Sequence, residues 1–293
     1  MKLLLLLLIP IQLFPQAFTT DILSMEQSTR YDALGGKQVG ILSEFGFYNP
    51  AINSLLNNTF LYVSHSSMFD NQIINENITF SYSDFSISAL LSYGKNIPIT
   101  SLPDTTQPPS PTNRPFIIST ENHYNIATFI SYSKILRENL SAGLQIKGNY
   151  QKLTSIDGLG VGGDLGLFYR PLSSLSLGLK VENALPYFVR WSSGTNQWGY
   201  PSALFGVGYS YPIAKIDFLT AGTFEYLFYE KEYGYYLGLE AEWNNLLYMR
   251  AGVQSSGFRL GSGIEIGKFG VDISYNGNRE LESSYKLGIF FRP

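Results

Sequence analysis

Cysteine is absent from all 293 residues. That absence excludes disulfides, thiolate metal sites and lipid attachment through a thiol. Histidine is close to absent, with only His65 and His123. Two histidines at that separation are a thin supply for a zinc site, which needs at least three protein ligands. Charged residues make up only 15%, and the formal net charge is -3, a balance that argues against a nucleic-acid partner. No long apolar run follows the first residues and the mean hydropathy is near zero, which argues against a helical membrane protein. What the chain does have is 15% aromatic residues and 28 glycines. Few charges with many aromatics is the balance of a transmembrane β-barrel, which carries aromatic girdles outside and hides its polar residues inside.

The chain opens "MKLLLLLLIPIQLFPQAFTTD". Lys2, the apolar run Leu3 to Ile11 and the small-residue site Pro15-Gln16-Ala17 read as a secretory signal peptide. The run is roughly half the ~20 residues that a spanning helix needs. The expected organisation is a signal peptide over 1–17, an N-terminal periplasmic or plug segment over 18–58, and an outer-membrane β-barrel over 59–293. A secreted chain of this size without disulfides points to a bacterial source.

From residue 59 onward the sequence alternates strictly. In "ENLSAGLQIKGNY", Leu140, Ala142, Leu144, Ile146 and Tyr150 take one face, and Ser141, Gly143, Gln145, Lys147 and Asn149 take the other. The same pattern recurs in "LGVGGDLGLFYR", "LSLGLKVEN" and "DFSISALLSYG". A period of two residues is the signature of a strand with one apolar face. Strands are expected near 59–66, 75–83, 85–94, 123–133, 138–150, 159–169, 173–183, 203–211, 215–228, 233–243, 246–253, 258–266, 269–275 and 284–292. Short turns alternate with longer loops, among them the Pro-rich Lys95–Asn122 and Ala184–Ser202. The expected fold is therefore all-β: a closed antiparallel transmembrane barrel of about fourteen strands, which leaves no open sheet edge in lipid.

Ahead of the first strand stand Ala33-Leu34-Gly35-Gly36 and, about a dozen residues on, Tyr48-Asn49-Pro50-Ala51. These, with "YVSHSSMF" at Tyr62–Phe69 and the block "SYSKILRENLSAGLQIKGNYQKL" to "GVGGDLGLFYRPLSSLSLGLKVENA", resemble the PorV/PorQ family of outer-membrane barrels, itself related to FadL-type transporters. The resemblance implies a fourteen-stranded, FadL-like barrel. It also implies that Thr29–Asn53 folds inward or lies at the periplasmic mouth, with Leu34, Gly35, Gly36, Asn49, Pro50 and Ala51 as the plug motif. Lys286-x-Gly288-x-x-Phe291 resembles the C-terminal signal read by the barrel-assembly machinery, although Pro293 replaces the usual terminal aromatic.

Charges on the expected lumen face are the candidate selectivity residues: Asp164, Arg170, Lys180, Glu182, Glu240, Glu242, Arg250, Arg259, Glu265 and Asp272. Charge inside a barrel is tolerated where it is paired or wet, and it selects what passes. Trp191 and Trp198, in "WSSGTNQWGYP", are candidate contacts of an outer loop with lipid or a partner. Nothing marks a nucleophile, a cofactor or a metal ligand set, so a non-enzymatic protein is expected. Two functions stand open. The PorV/PorQ resemblance implies an accessory or shuttle component of type IX-like secretion, receiving secreted cargo proteins or other secretion components. The alternative is a FadL-like outer-membrane channel for uptake of hydrophobic small molecules. Both place the chain in the bacterial outer membrane, with lipid around it.

Overall fold

The computed structural model of the protein describes residues 21–42, 46–56, 59–68, 71–153, 155–278 and 283–293. The expected signal peptide lies outside them. Among the described residues fifteen strands follow one another: β1 (Thr59–Met68), β2 (Ile73–Tyr82), β3 (Phe85–Ser101), β4 (Phe116–Arg137), β5 (Leu140–Leu153), β6 (Ile156–Tyr169), β7 (Leu175–Trp191) and β8 (Asn196–Gly199). Then come β9 (Ser202–Ile213), β10 (Ile216–Leu227), β11 (Glu232–Trp243), β12 (Leu247–Gln254), β13 (Gly257–Ile266), β14 (Phe269–Asn278) and β15 (Ser284–Phe291). Each pairs antiparallel with its neighbours, and β1 closes on β15 through Leu61↔Phe291 to Ser67↔Tyr285. Because β8 only forms a short hairpin on the far end of β7, at Tyr187–Arg190, the wall itself is a closed antiparallel barrel of fourteen strands.

Alternation decides which way each side chain points. Outward, Ile78, Phe80, Ile87, Ile126, Ile130, Ile146, Leu165, Leu239, Leu260 and Ile289 stand exposed, an apolar belt that only a hydrocarbon surround would cover. Aromatic rows bound the belt. Tyr82, Phe85 and Tyr132 pair side by side at the short-turn end, and the Tyr275 and Tyr285 rings meet at a tilt, 5.3 Å apart, at the other. Tight turns at the first end use Ser83, Ala214, Asn244 and Asn245, all at positive φ, which short polar side chains tolerate best.

Two features differ from the sequence reading. The Pro-rich connection is shorter than expected, because β3 and β4 continue as a two-stranded ribbon to Ser101 and Phe116, with register shifts between Gly94 and Ile97 and between Ile99 and Thr100. The other is a bulge in β7. Gly163 pairs with Leu185 but Leu165 with Val181, so Asp164 alone faces Glu182, Asn183 and Ala184. Asn183 sits at φ 54°, its backbone N–H donating to Asp164 Oδ1 at 2.8 Å. A second shift follows, since Val161 pairs with Phe188, so Gly162 faces Pro186 and Tyr187. The three extra residues in all, an odd number, change the parity of the inward set, and Tyr187, Val189 and Trp191 are all buried. Added residues re-aim a strand in this way.

Inside the barrel lies the N-terminal segment. It contains α1 (Asp21–Ser24), α2 (Thr29–Ala33), a 3₁₀ turn at Pro50–Ile52 and α3 (Asn53–Leu56). Ile22, Tyr31, Leu34, Ile41, Phe47, Ala51 and Ile52 are all buried. A barrel this wide needs something to fill its centre, and here residues of the same chain fill it.

Candidate functional site in the barrel lumen

The segment is held on one side by apolar packing. Phe47 meets Phe129 edge-on at 4.7 Å and Tyr48 at 4.8 Å, and Tyr31 stacks on Tyr48 at 3.8 Å. Ser28 caps α2, and the backbone N–H groups of Gln27 and Ser28 donate to the Tyr48 hydroxyl at 3.1 and 2.9 Å.

Three pairs of facing glycines in the wall receive its backbone. Gly143↔Gly166 takes Asn49 and Pro50, Gly178↔Gly206 takes Val39 and Gly40, and Gly238↔Gly252 takes Leu34 and Gly35. A Cβ at any of the six would run into the segment. Glycine is the residue that permits this close approach. Two of the three seats thus receive the very residues of the expected plug motif. Gly35 and Gly36, at φ 89° and 109°, end α2, with Gly36 N–H donating to Tyr31 O at 2.8 Å. Asn49 donates through Nδ2 to Val39 O and Leu167 O, both at 3.0 Å, and accepts from Ala51 N–H at 3.1 Å.

Around the rest of the lumen the contacts are ionic, in four clusters among the described residues. Lys37 lies 3.2 Å from Glu182 and 2.9 Å from Glu225, while Lys180 joins Glu182 at 3.1 Å to Asp164 at 3.2 Å, with Lys147 2.6 Å from Asp164. Arg30 grips Glu240 with two hydrogen bonds, 2.9 and 2.7 Å, and Arg250 bridges Glu240 at 2.6 Å and Asp272 at 2.5 Å. Asp32 pairs with Arg259 and accepts from the Ser274 hydroxyl at 2.7 Å. Arg292 pairs with Glu265 at 2.6 Å. Each cluster carries as many acidic as basic groups. Buried charges persist only when paired and hydrogen-bonded, and Lys37, Arg30 and Asp32 of the N-terminal segment complete three of the four.

Eight of the ten charges expected on the lumen face enter these pairs, and Glu242 lines the lumen beside them. The exception is Arg170. It lies in the turn after β6, exposed, and donates to Ser173 O at 2.7 Å, because β6 ends at Tyr169. The two tryptophans are not presented together as an outer contact. The β7 bulge turns Trp191 inward, where it donates to Gln197 Oε1 at 2.6 Å and covers Gly158. Trp198 is half-buried, 4.7 Å from Phe188. Of the expected assembly signal, Lys286 is half-buried with its Nζ donating to the Glu26 carbonyl, and Gly288 faces Thr29 and Tyr62. Lys147 and Glu225 were open to the same alternation argument that placed the others. The partners Arg30, Asp32 and Lys37 carry no periodic signal.

Two cavities flank the segment. The outer, about 580 Å³, opens at the long-loop end and is lined by Glu26, Asp32, Lys37, Arg259, Lys286 and the tyrosines 200, 229 and 236. The inner, about 380 Å³, is lined by Arg30, Tyr62, Glu240, Glu242, Arg250 and Arg292.

No protein-family model matches the sequence, and no curated protein does. Solved structures match the fold over almost the whole chain. The P. putida toluene transporter TodX superposes with a TM-score of 0.61 at 10% identity, covering 91% of this chain and 98% of that one. The toluene transporter TbuX of Ralstonia pickettii gives 0.59 at 10% identity, covering 94% and 100%. The monoaromatic hydrocarbon channel CymD gives 0.52 at 11% identity, covering 91% and 96%. The fold is that of FadL-like channels. The finer resemblance to PorV/PorQ finds no support from a sequence family.

Proposed function

We propose that the chain is a small-molecule channel of the bacterial outer membrane, non-enzymatic, with its N-terminal segment as the resting plug. The observation that carries this reading is a self-supplied segment seated on glycines and ion pairs, with a cavity on either side. The apolar belt supports membrane embedding, and the fold is shared with proteins named as transporters and channels of aromatic hydrocarbons. Of the two functions expected from the sequence, uptake is the better supported, since no comparison points to type IX secretion. Hydrophobic small molecules are the solute class that the fold neighbours suggest.

The test compares uptake of labelled toluene and of labelled polar solutes by cells with and without the gene, alongside their surface proteomes. Loss of uptake with an unchanged proteome is expected. Unchanged uptake with selective loss of surface proteins sharing one C-terminal domain would move the chain to the secretion role.

A further inference from the structure

The two cavities approach each other across one short element, α2, and its charged side chains point to different sides. Asp32 lines the outer cavity and Arg30 the inner one. Both end on the wall formed by β11 to β15, whose inward charges descend as a ladder. From the outer end, Lys286 and Arg259 come first, then Arg250 with Asp272 and Glu240, then Glu265 with Arg292. The β3–β4 wall offers no such ladder, because there Leu90 and Phe129 pack against Phe47 and Tyr48 of the segment, and the ion cluster on β5 to β10 is closed by Lys37 of the segment rather than by α2.

The consequence follows from counting charges. With α2 seated, Arg30 neutralises one carboxylate of the Glu240–Arg250–Asp272 cluster, and Asp32 neutralises Arg259. Withdrawing α2 removes one cation and one anion together. The inner station is then left with two carboxylates and one guanidinium, and the outer with a guanidinium whose Nε already has no protein partner although Arg259 is only 7% exposed. Charges stranded in a poorly hydrated site are costly unless a counter-charge arrives.

The hydrophobic solute class of the fold neighbours offers nothing to these charges. Resting on the channel reading above, but departing from that solute class, we infer that solutes pass along the β11–β15 wall when α2 withdraws, and that the favoured permeant is a small zwitterion. Its cationic group replaces Arg30 at Glu240, and its anionic group replaces Asp32 at Arg259. The plug, on this account, occupies the path as a stand-in for its own permeant. An amino acid has the required pair of charges, and an uncharged polyol of similar size does not.

The experiment is liposome swelling with the purified full-length chain, using L-glutamine and the uncharged pentose L-arabinose as probes. Arg30→Gln with Asp32→Asn removes both ion pairs between α2 and the wall while leaving the wall residues unchanged. Heat-modifiable migration on a gel checks that each variant is a folded barrel. The expected result is that the double variant admits glutamine about tenfold faster than arabinose, equivalent to ~1.4 kcal/mol, and that adding Arg259→Gln and Glu240→Gln abolishes the preference. Equal acceleration of both solutes would overturn the zwitterion assignment. No acceleration in the double variant, when deletion of residues 21–56 does open the barrel, would overturn α2 as the partition. If even that deletion admits nothing, it is the channel reading that fails.

Discussion

The carbonyl of Val39 occupies the place where Gly178 would carry a Cβ. Gly178 faces Gly206 on the adjoining strand, which meets Gly40 in the same way. The wall was therefore shaped for the segment at the level of single atoms, and a methyl group is enough to dispute the seat.

Gly178→Ala is expected to loosen the plug while sparing the barrel. Overpacking of this kind costs ~1–3 kcal/mol, and the cost falls on the removable partner. Trypsin should then cut faster at Arg30 or Lys37, with barrel migration on a gel unchanged. Equal protection of variant and native plug would show that the close approach is unimportant.

Arg250→Met leaves Glu240 and Asp272 without the guanidinium that joins them at 2.6 and 2.5 Å. Removing one partner from a buried ion network typically costs ~3–5 kcal/mol. The expected outcome is a lower denaturant midpoint in detergent micelles. Restoring balance with Asp272→Asn, which leaves the Arg30–Glu240 pair in place, should recover part of that loss.

Asn49→Ala removes two donated bonds to carbonyls of Val39 and Leu167, and one accepted from Ala51. The loss of Val39 and Leu167 as hydrogen-bonded anchors is expected to cost ~1–3 kcal/mol. Amide exchange over residues 46–56 reports it directly. Exchange that stays as slow as in the native chain would contradict the anchoring role.

Burial holds the Glu26 carboxyl above its ordinary value of 4.5, against the opposing pull of Arg259 and Lys286. A carboxyl raised on docking stabilises the docked state fully below its undocked value. That contribution is lost as pH rises through the docked one. The plug should accordingly open more often as pH rises from 4.5 upward, and single-channel recordings of Glu26→Gln should show that slope flattened.

The barrel was legible because lipid imposes one rule on every strand. In β5 and β6, Leu144 and Leu165 must face outward, and Gln145 and Asp164 therefore face in. Strand by strand, that rule also reached most of the lumen charges. It stops where lipid stops. Beyond Gly94 the register of β3 on β4 shifts twice, and Pro98 with the prolines that follow it reads as loop. The β7 bulge was hidden for a different reason. Alternation within one strand cannot show extra residues set against the next, so β7 reads as ending near 183 and Trp191 falls in the expected outer loop, whereas the strand runs on through its two register shifts to Trp191. The ion pairs of the plug had no local signature at all, since each is completed by a residue far along the chain.

That distance sets an order of events. Arg30 meets Glu240 across 210 positions, and Asp32 meets Ser274 across 242. The first part of the chain to emerge therefore finds its seat only after the last strands have arrived, and contacts so remote in sequence form late. Until β15 zips onto β1 the segment has no complete cradle. Once closed, the barrel captures the segment that α2 belongs to, and that segment, once seated, becomes a record that the circle was finished.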